Sequence, residues 1–328
     1  MRKLMHQHTV QTPYMVGEAH FYSTEINGEL VLFDTGPATP QALAYLRDQI
    51  DVERLKYLFI THCHVDHYGL AAYIGQNTAA EICIPKKDAV KLTRHEERLT
   101  HIQNLLNGYG FDDAFAGRLR GSFEKNKIFP GIPEKFTIVE ESDVPEKLGI
   151  TWLSCPGHSQ SDLVYLCGEH AVAGDVLIRT IFQAPLLDVD LETFSGRFKN
   201  YDAYCTSLLN LHKLSGYEIH PGHREYVESL DDTILFYVRK LMERAAQVKR
   251  FSDVESVRDV VSRLFGETLA EPFFVYLKVS EIVFMRDFLA EPNKLKSSLE
   301  RIGLFDGVRD LYAAVTTKRA TVGMGENV

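Results

Sequence analysis

Residues 62–67 read His-Cys-His-Val-Asp-His and follow directly on the apolar run LKYLFI at 55–60. A short run of that kind suits a buried strand. Three imidazoles and a carboxylate therefore stand at a strand end, close enough to converge from one short loop. In extended backbone His62 and His64 point the same way, and Cys63 points away from them. Asp66 and His67 come where the chain turns and can face a second point nearby. Imidazole and carboxylate together suit zinc, iron or manganese. Taken alone, the run also fits a patch of surface histidines.

Further candidates stand at later strand ends. His158 lies in Cys-Pro-Gly-His-Ser (155–159) after ITWLSC, and Asp175 in Ala-Gly-Asp (173–175) after HAVA. His223 lies in His-Pro-Gly-His (220–223) after YEI. Each is flanked by glycine or proline, which shape tight loops. Asp34 begins Asp-Thr-Gly at the end of a predicted hairpin, 19–36, whose Asn27-Gly28 is a strong turn signal. Separate loops at strand ends can build one site at the rim of a sandwich.

In this order, His-x-His-x-Asp-His, Pro-Gly-His, Gly-Asp and Pro-Gly-His resemble the motifs of the metallo-β-lactamase superfamily, over about residues 15–228. The resemblance implies an α+β chain folded as a four-layer αβ/βα sandwich. It also implies two divalent metal ions, zinc first, with iron or manganese as alternatives. His62, His64 and His158 would hold one ion, and Asp66, His67 and His223 the other. Asp175 would bridge them, and Asp34 would support the ligands from behind. A metal-bridging hydroxide would be the nucleophile, because metal binding lowers the pKa of water to about 7. Asp66 would also steer its proton. The pattern favours His223 over His220 as the last ligand, and strand alternation leaves Cys63 packed inward. His20 is a candidate for lining the pocket, and Arg224 and Tyr226 for touching substrate.

The chain has 328 residues and a formal charge of −9. A diffuse acidic surface argues against nucleic acid, which is normally met by a basic patch, and leaves a small-molecule substrate. No segment approaches the roughly 20 apolar residues of a membrane span. The N-terminal stretch lacks the apolar core of a signal peptide, and the five cysteines show no paired spacing. These features predict a cytoplasmic protein with reduced thiols and no membrane segment.

Residues 1–228 are the expected catalytic domain. Within it, 86–128 is polar, charged and helical in pattern, an insertion that would bring His95 and His101 to the metals if it folds over them. A strand is expected at 135–140 (KFTIVE). Residues 229–328 form a helical C-terminal extension, with Ser252 the expected cap of its second helix and a loose tail from 321. In it, LKSSLERIGLFDG (295–307) resembles part of a winged-helix-like module, with a plain helical cap as the alternative. The extension is a candidate homodimer surface.

Subclasses of the resembled family separate on particular residues. Antibiotic-degrading zinc lactamases are secreted, and many carry cysteine where this chain has Asp175. Nucleases with a large inserted domain place it between Gly-Asp and the last histidine, where only 48 residues separate Asp175 from His223. Flavin-dependent di-iron oxygen reductases carry glutamate in the first motif. The group like glyoxalase II remains, so hydrolysis of a thioester or similar activated ester is the leading expectation. Phosphodiester or RNA hydrolysis is the first alternative. A regulatory or binding protein that keeps the metal site with low turnover is the second.

Overall fold

The run at 55–60 forms an inner strand of a six-stranded sheet. The computed structural model describes residues 4–125, 130–266 and 271–317. The first sheet takes β1 (His6–Gln11), β2 (Glu18–Ile26), β3 (Glu29–Phe33), β4 (Leu55–Phe59), β5 (Glu81–Ile84) and β6 (Thr137–Ile138), in that order. Its first three strands are antiparallel and the rest join in parallel. A second sheet has the order β10-β9-β8-β7, from β7 (Ile150–Ser154), β8 (Leu163–Cys167), β9 (His170–Gly174) and β10 (Glu218–Pro221).

Helices cover both outer faces, which makes four layers. Between the sheets Tyr22, Phe33, Phe59, Tyr165 and Val172 share one core, with the Phe33 and Phe59 rings stacked at 5.7 Å. Over the first sheet lie α1 (Pro40–Gln49), the one-turn α2 (Val65–Tyr68) and α3 (Ala71–Asn77). The α1 start follows the sequence signal: Pro40 sits in the first turn and the Thr39 hydroxyl accepts from the Ala42 amide at 3.1 Å.

The described part of the insertion is helical: α4 (Lys86–Thr93), α5 (His95–Gly108) and α6 (Asp113–Lys125). Residues 126–128 lie outside the described residues. The short α7 (Val144–Leu148) precedes β7, and α8 (Asn200–Leu211) precedes β10. The extension continues as α9 (Leu230–Val248), α10 (Val257–Phe265), α11 (Pro272–Ala290), α12 (Pro292–Arg301) and α13 (Arg309–Thr316). No strand occurs among its described residues, so they contain no β-wing. The tail from 321 lies outside the described residues.

Three local features differ from the sequence expectations. KFTIVE yields only the two-residue β6 before a 3-10 turn, Val139–Glu141. It is the edge of the sheet, and Glu140 there accepts the Lys86 amide at the start of α4. The polar β1 gave no apolar signal, yet it pairs along β2 and stacks His8 on Phe21. Ser256, not Ser252, caps α10 by accepting from the Asp259 amide. The chain is still in a 3-10 turn at 249–251 that continues α9, so Ser252 falls behind that turn rather than ahead of a helix.

The extension has no core of its own. Leu106 of α5, Phe115 of α6, Val164 of β8, Leu208 of α8, Leu241 of α9 and Phe284 of α11 belong to one apolar cluster on the second sheet. Burying a side chain of that size contributes about 1.5–3 kcal/mol. Leu241 is fully buried there, so Leu241→Ala is expected to cost about 2–5 kcal/mol, cavity included. Denaturant unfolding of the full chain checks this, and the loss should come as a shift of a single transition.

Candidate metal centre

Four loops bring the seven expected residues together at the strand ends. β4 delivers His62 and His64, and the single turn of α2 carries Asp66 and His67. The loop after β7 brings His158, β9 ends next to Asp175, and β10 ends just before His223. Two groups of ligand atoms form. His62, His64, His158 and Asp175 make one and Asp66, His67 and His223 the other, each within 4.8 Å.

In the first group, His64 Nδ1 lies 3.0 Å from His62 Nε2 and 2.9 Å from His158 Nε2. Asp175 Oδ2 is 3.5 Å from His158 Nε2 and 4.0 Å from His62 Nε2. In the second, His223 Nε2 is 3.3 Å from Asp66 Oδ2. Asp175 Oδ1 adjoins that group too, 3.2 Å from His67 Nε2 and 3.4 Å from His223 Nε2. Ligands about 2.0–2.1 Å from a tetrahedral zinc stand about 3.3–3.4 Å apart. The second group has that spacing, the distances in the first bracket it, and Asp175 presents one oxygen to each.

Buried polar atoms give a second test of fit. His67 Nε2, His223 Nε2 and Asp175 Oδ1 are buried with no hydrogen-bond partner. Leaving such an atom unpaired costs about 1–3 kcal/mol, and a cation between them satisfies all three. The residues therefore fit two metal ions.

Electrostatics divides the groups. Burial, then the neighbouring imidazoles, holds His62 and His64 well below the usual histidine range, as neutral ligands. Burial also pushes His67 and His223 down, but the carboxylates overcome it and raise both, Asp175 and Asp34 for His67, Asp175 and Asp66 for His223. For Asp175 burial works upward, and His223 and His67 outweigh it, holding the carboxyl well below its usual range. Asp66 is lowered against burial by the adjoining His223 imidazole and the charge of His67.

The far nitrogens of the rings are tied down. His67 Nδ1 meets Asp34 Oδ2 at 2.9 Å, His158 Nδ1 meets the Ala184 carbonyl at 3.1 Å, and His223 Nδ1 meets the Glu18 carbonyl at 2.6 Å. Such outer partners fix the ring orientation and the nitrogen left for metal. Asp34 also accepts the Thr61 amide (2.8 Å) and hydroxyl (2.7 Å). It does so at φ 60°, a conformation costly for a residue with a side chain.

Cys63 packs inward as expected, its amide donating to Asp88 and its carbonyl accepting from Lys91 Nζ. The remaining candidates lie outside these two ligand groups. His20 does not line the site. Its Nδ1 meets the Thr9 hydroxyl and its Nε2 donates to the Arg224 carbonyl, so it braces the loop after His223. His220 stands apart with His170. His101 packs on Phe194, and neither it nor His95 joins either group. The insertion reaches the site through other residues: Asp88, Lys91 and Arg98 border a small space beside His64. Thr61 could have been suspected from its place beside His62, whereas Asp88 and Lys91 carry no local signal.

A family model described as metallo-beta-lactamase superfamily matches residues 20–236. The probable metallo-hydrolase YqjP of Bacillus subtilis is 26% identical over 308 residues, 89% of this chain and 93% of that protein. Ribonuclease Z of Pyrococcus horikoshii is 31% identical over 132 residues, 36% of this chain and 41% of that one. Among solved structures, a metallo-beta-lactamase family protein of Thermus thermophilus, TTHA1429, superposes with a TM-score of 0.67 at 18% identity. That match covers 88% of this chain and 94% of the other.

Two substitutions probe the centre. A Cβ at Gly222 would stand 2.5 Å from His67 Cε1 and 2.7 Å from Asp175 Oδ1. Gly222→Ala should therefore lower the metal content of the folded protein, read by elemental analysis beside circular dichroism. Asp34→Asn should weaken metal binding about 10–100-fold, measured by competition with a chelator.

Proposed function

The chain belongs to the metallo-β-lactamase superfamily and is a metal-dependent hydrolase, and we propose that it acts on a thioester or similarly activated ester. The observation that carries the reading is the pair of adjoining ligand groups joined by the two oxygens of Asp175. We assign His62, His64, His158, Asp66, His67, His223 and Asp175 as the metal ligands, with zinc the first candidate. Bound divalent cations acidify water and polarise the oxygen of a scissile carbonyl. The chain's own part is to orient the ligands and the water. Asp34, Glu18 and Ala184 lock the imidazoles, and Asp66, beside His223, is placed to take the proton of the attacking water.

The net charge of −9 disfavours a polyanion and favours a small substrate. The local similarity to ribonuclease Z supports a second reading, phosphodiester cleavage in RNA.

Metal-loaded protein assayed against acyl thioesters of coenzyme A and glutathione, and against single-stranded RNA, separates the two. The expected result is thioester turnover that falls about a thousandfold or more in His64→Ala, the loss of several kcal/mol of metal assistance. Turnover of RNA alone would overturn the thioester reading.

A further inference from the structure

β9 and β10 carry another set of ligand atoms, from residues that precede the ligands Asp175 and His223 along the two strands. The strands run parallel, with Glu218 beside His170 and His220 beside Val172. Alternation puts Glu218 and His220 on one face of β10, next to His170. His170 Nδ1 is 3.0 Å from His220 Nε2 and 3.4 Å from Glu218 Oε2. All three ligand atoms lie within 4.8 Å of one another. Both imidazoles are buried, and Glu218 is partly exposed.

The set is distinct from the metal centre. His170 comes five residues before Asp175 and His220 three before His223, about 16 and 10 Å at roughly 3.3 Å per residue, and the three share no residue with either ligand group. The Tyr22 ring, 5.0 Å from that of His220, closes its inner side. On the outer side lies a cleft of about 780 Å³ whose lining includes Glu169, Glu218, Glu228 and Asp231.

We propose that His170, Glu218 and His220 form a further cation site, suited to zinc, beside the acidic cleft that Glu218 lines. Two imidazoles and one carboxylate are a common zinc set, and tetrahedral ligands stand about 3.3–3.4 Å apart. The observed 3.0 and 3.4 Å need only a slight widening to accept the ion. Burial and the adjacent His170 push His220 down to about 4, so its imidazole is a neutral ligand at physiological pH. The cleft carboxylates attract a cation, and Glu218 borders the cleft, which has room for water. A bound ion would clamp β9 to β10.

The test uses the full chain, saturated with zinc, desalted and analysed for metal. Wild type should hold one zinc per chain more than His170→Gln or Glu218→Ala. Crystals of the zinc-loaded protein should show an anomalous peak between the three side chains. Equal zinc content in wild type and both variants, or no peak there, overturns the proposal. Glu218 is partly exposed, so its alanine variant keeps the comparison valid if His170→Gln does not fold.

Discussion

The Asp34 carboxylate holds the site together. It accepts from the Thr61 amide and hydroxyl and from His67, joining the end of β3 to the loop after β4 and to α2. A residue bound this tightly can sit at a positive φ because three bonds outweigh a strain of about 1–3 kcal/mol. Through Thr61 the same network reaches His62, whose Nδ1 lies 3.2 Å from the Thr61 hydroxyl. One buried carboxylate thereby sets the direction of two imidazoles, one in each ligand group.

The electrostatics follow from that enclosure. Asp34, Asp66 and Asp175 are all buried within reach of one another's partners. Charges of one sign in so dry a place need compensation. The carboxylates draw His67 and His223 toward their protonated forms. A divalent cation at the same place would balance the three carboxylates instead.

Much of this was legible in the sequence because the chemistry sits where strands end. All seven residues follow short apolar runs, four of them in one cluster after β4, and His158, Asp175 and His223 each come directly after a glycine. Thr39, Pro40 and Asn27-Gly28 likewise act through their own backbone. What was not legible depends on distant partners. β1 is polar and forms because β2 offers it an edge. His20 looked like a pocket residue by position, and only the fold reveals that it spans Thr9 and Arg224. Periodicity announced the helices of the insertion and the extension, but not that they face each other in one core.

That shared core has a consequence for how the protein is made. The Tyr276 hydroxyl and Ser280 of α11 bond Leu187, whose segment includes Ala184, the anchor of His158. The last ligand, His223, is made 67 residues before α11 is complete at Ala290. At roughly 5–20 residues per second that interval is about 3–13 s. During it the part of the apolar cluster that α9 and α11 cover is bare and His158 lacks its fixed support. Early release or pausing in that window would expose an apolar surface, which makes the final third of the chain a guard of the nascent sandwich as well as a part of the finished one.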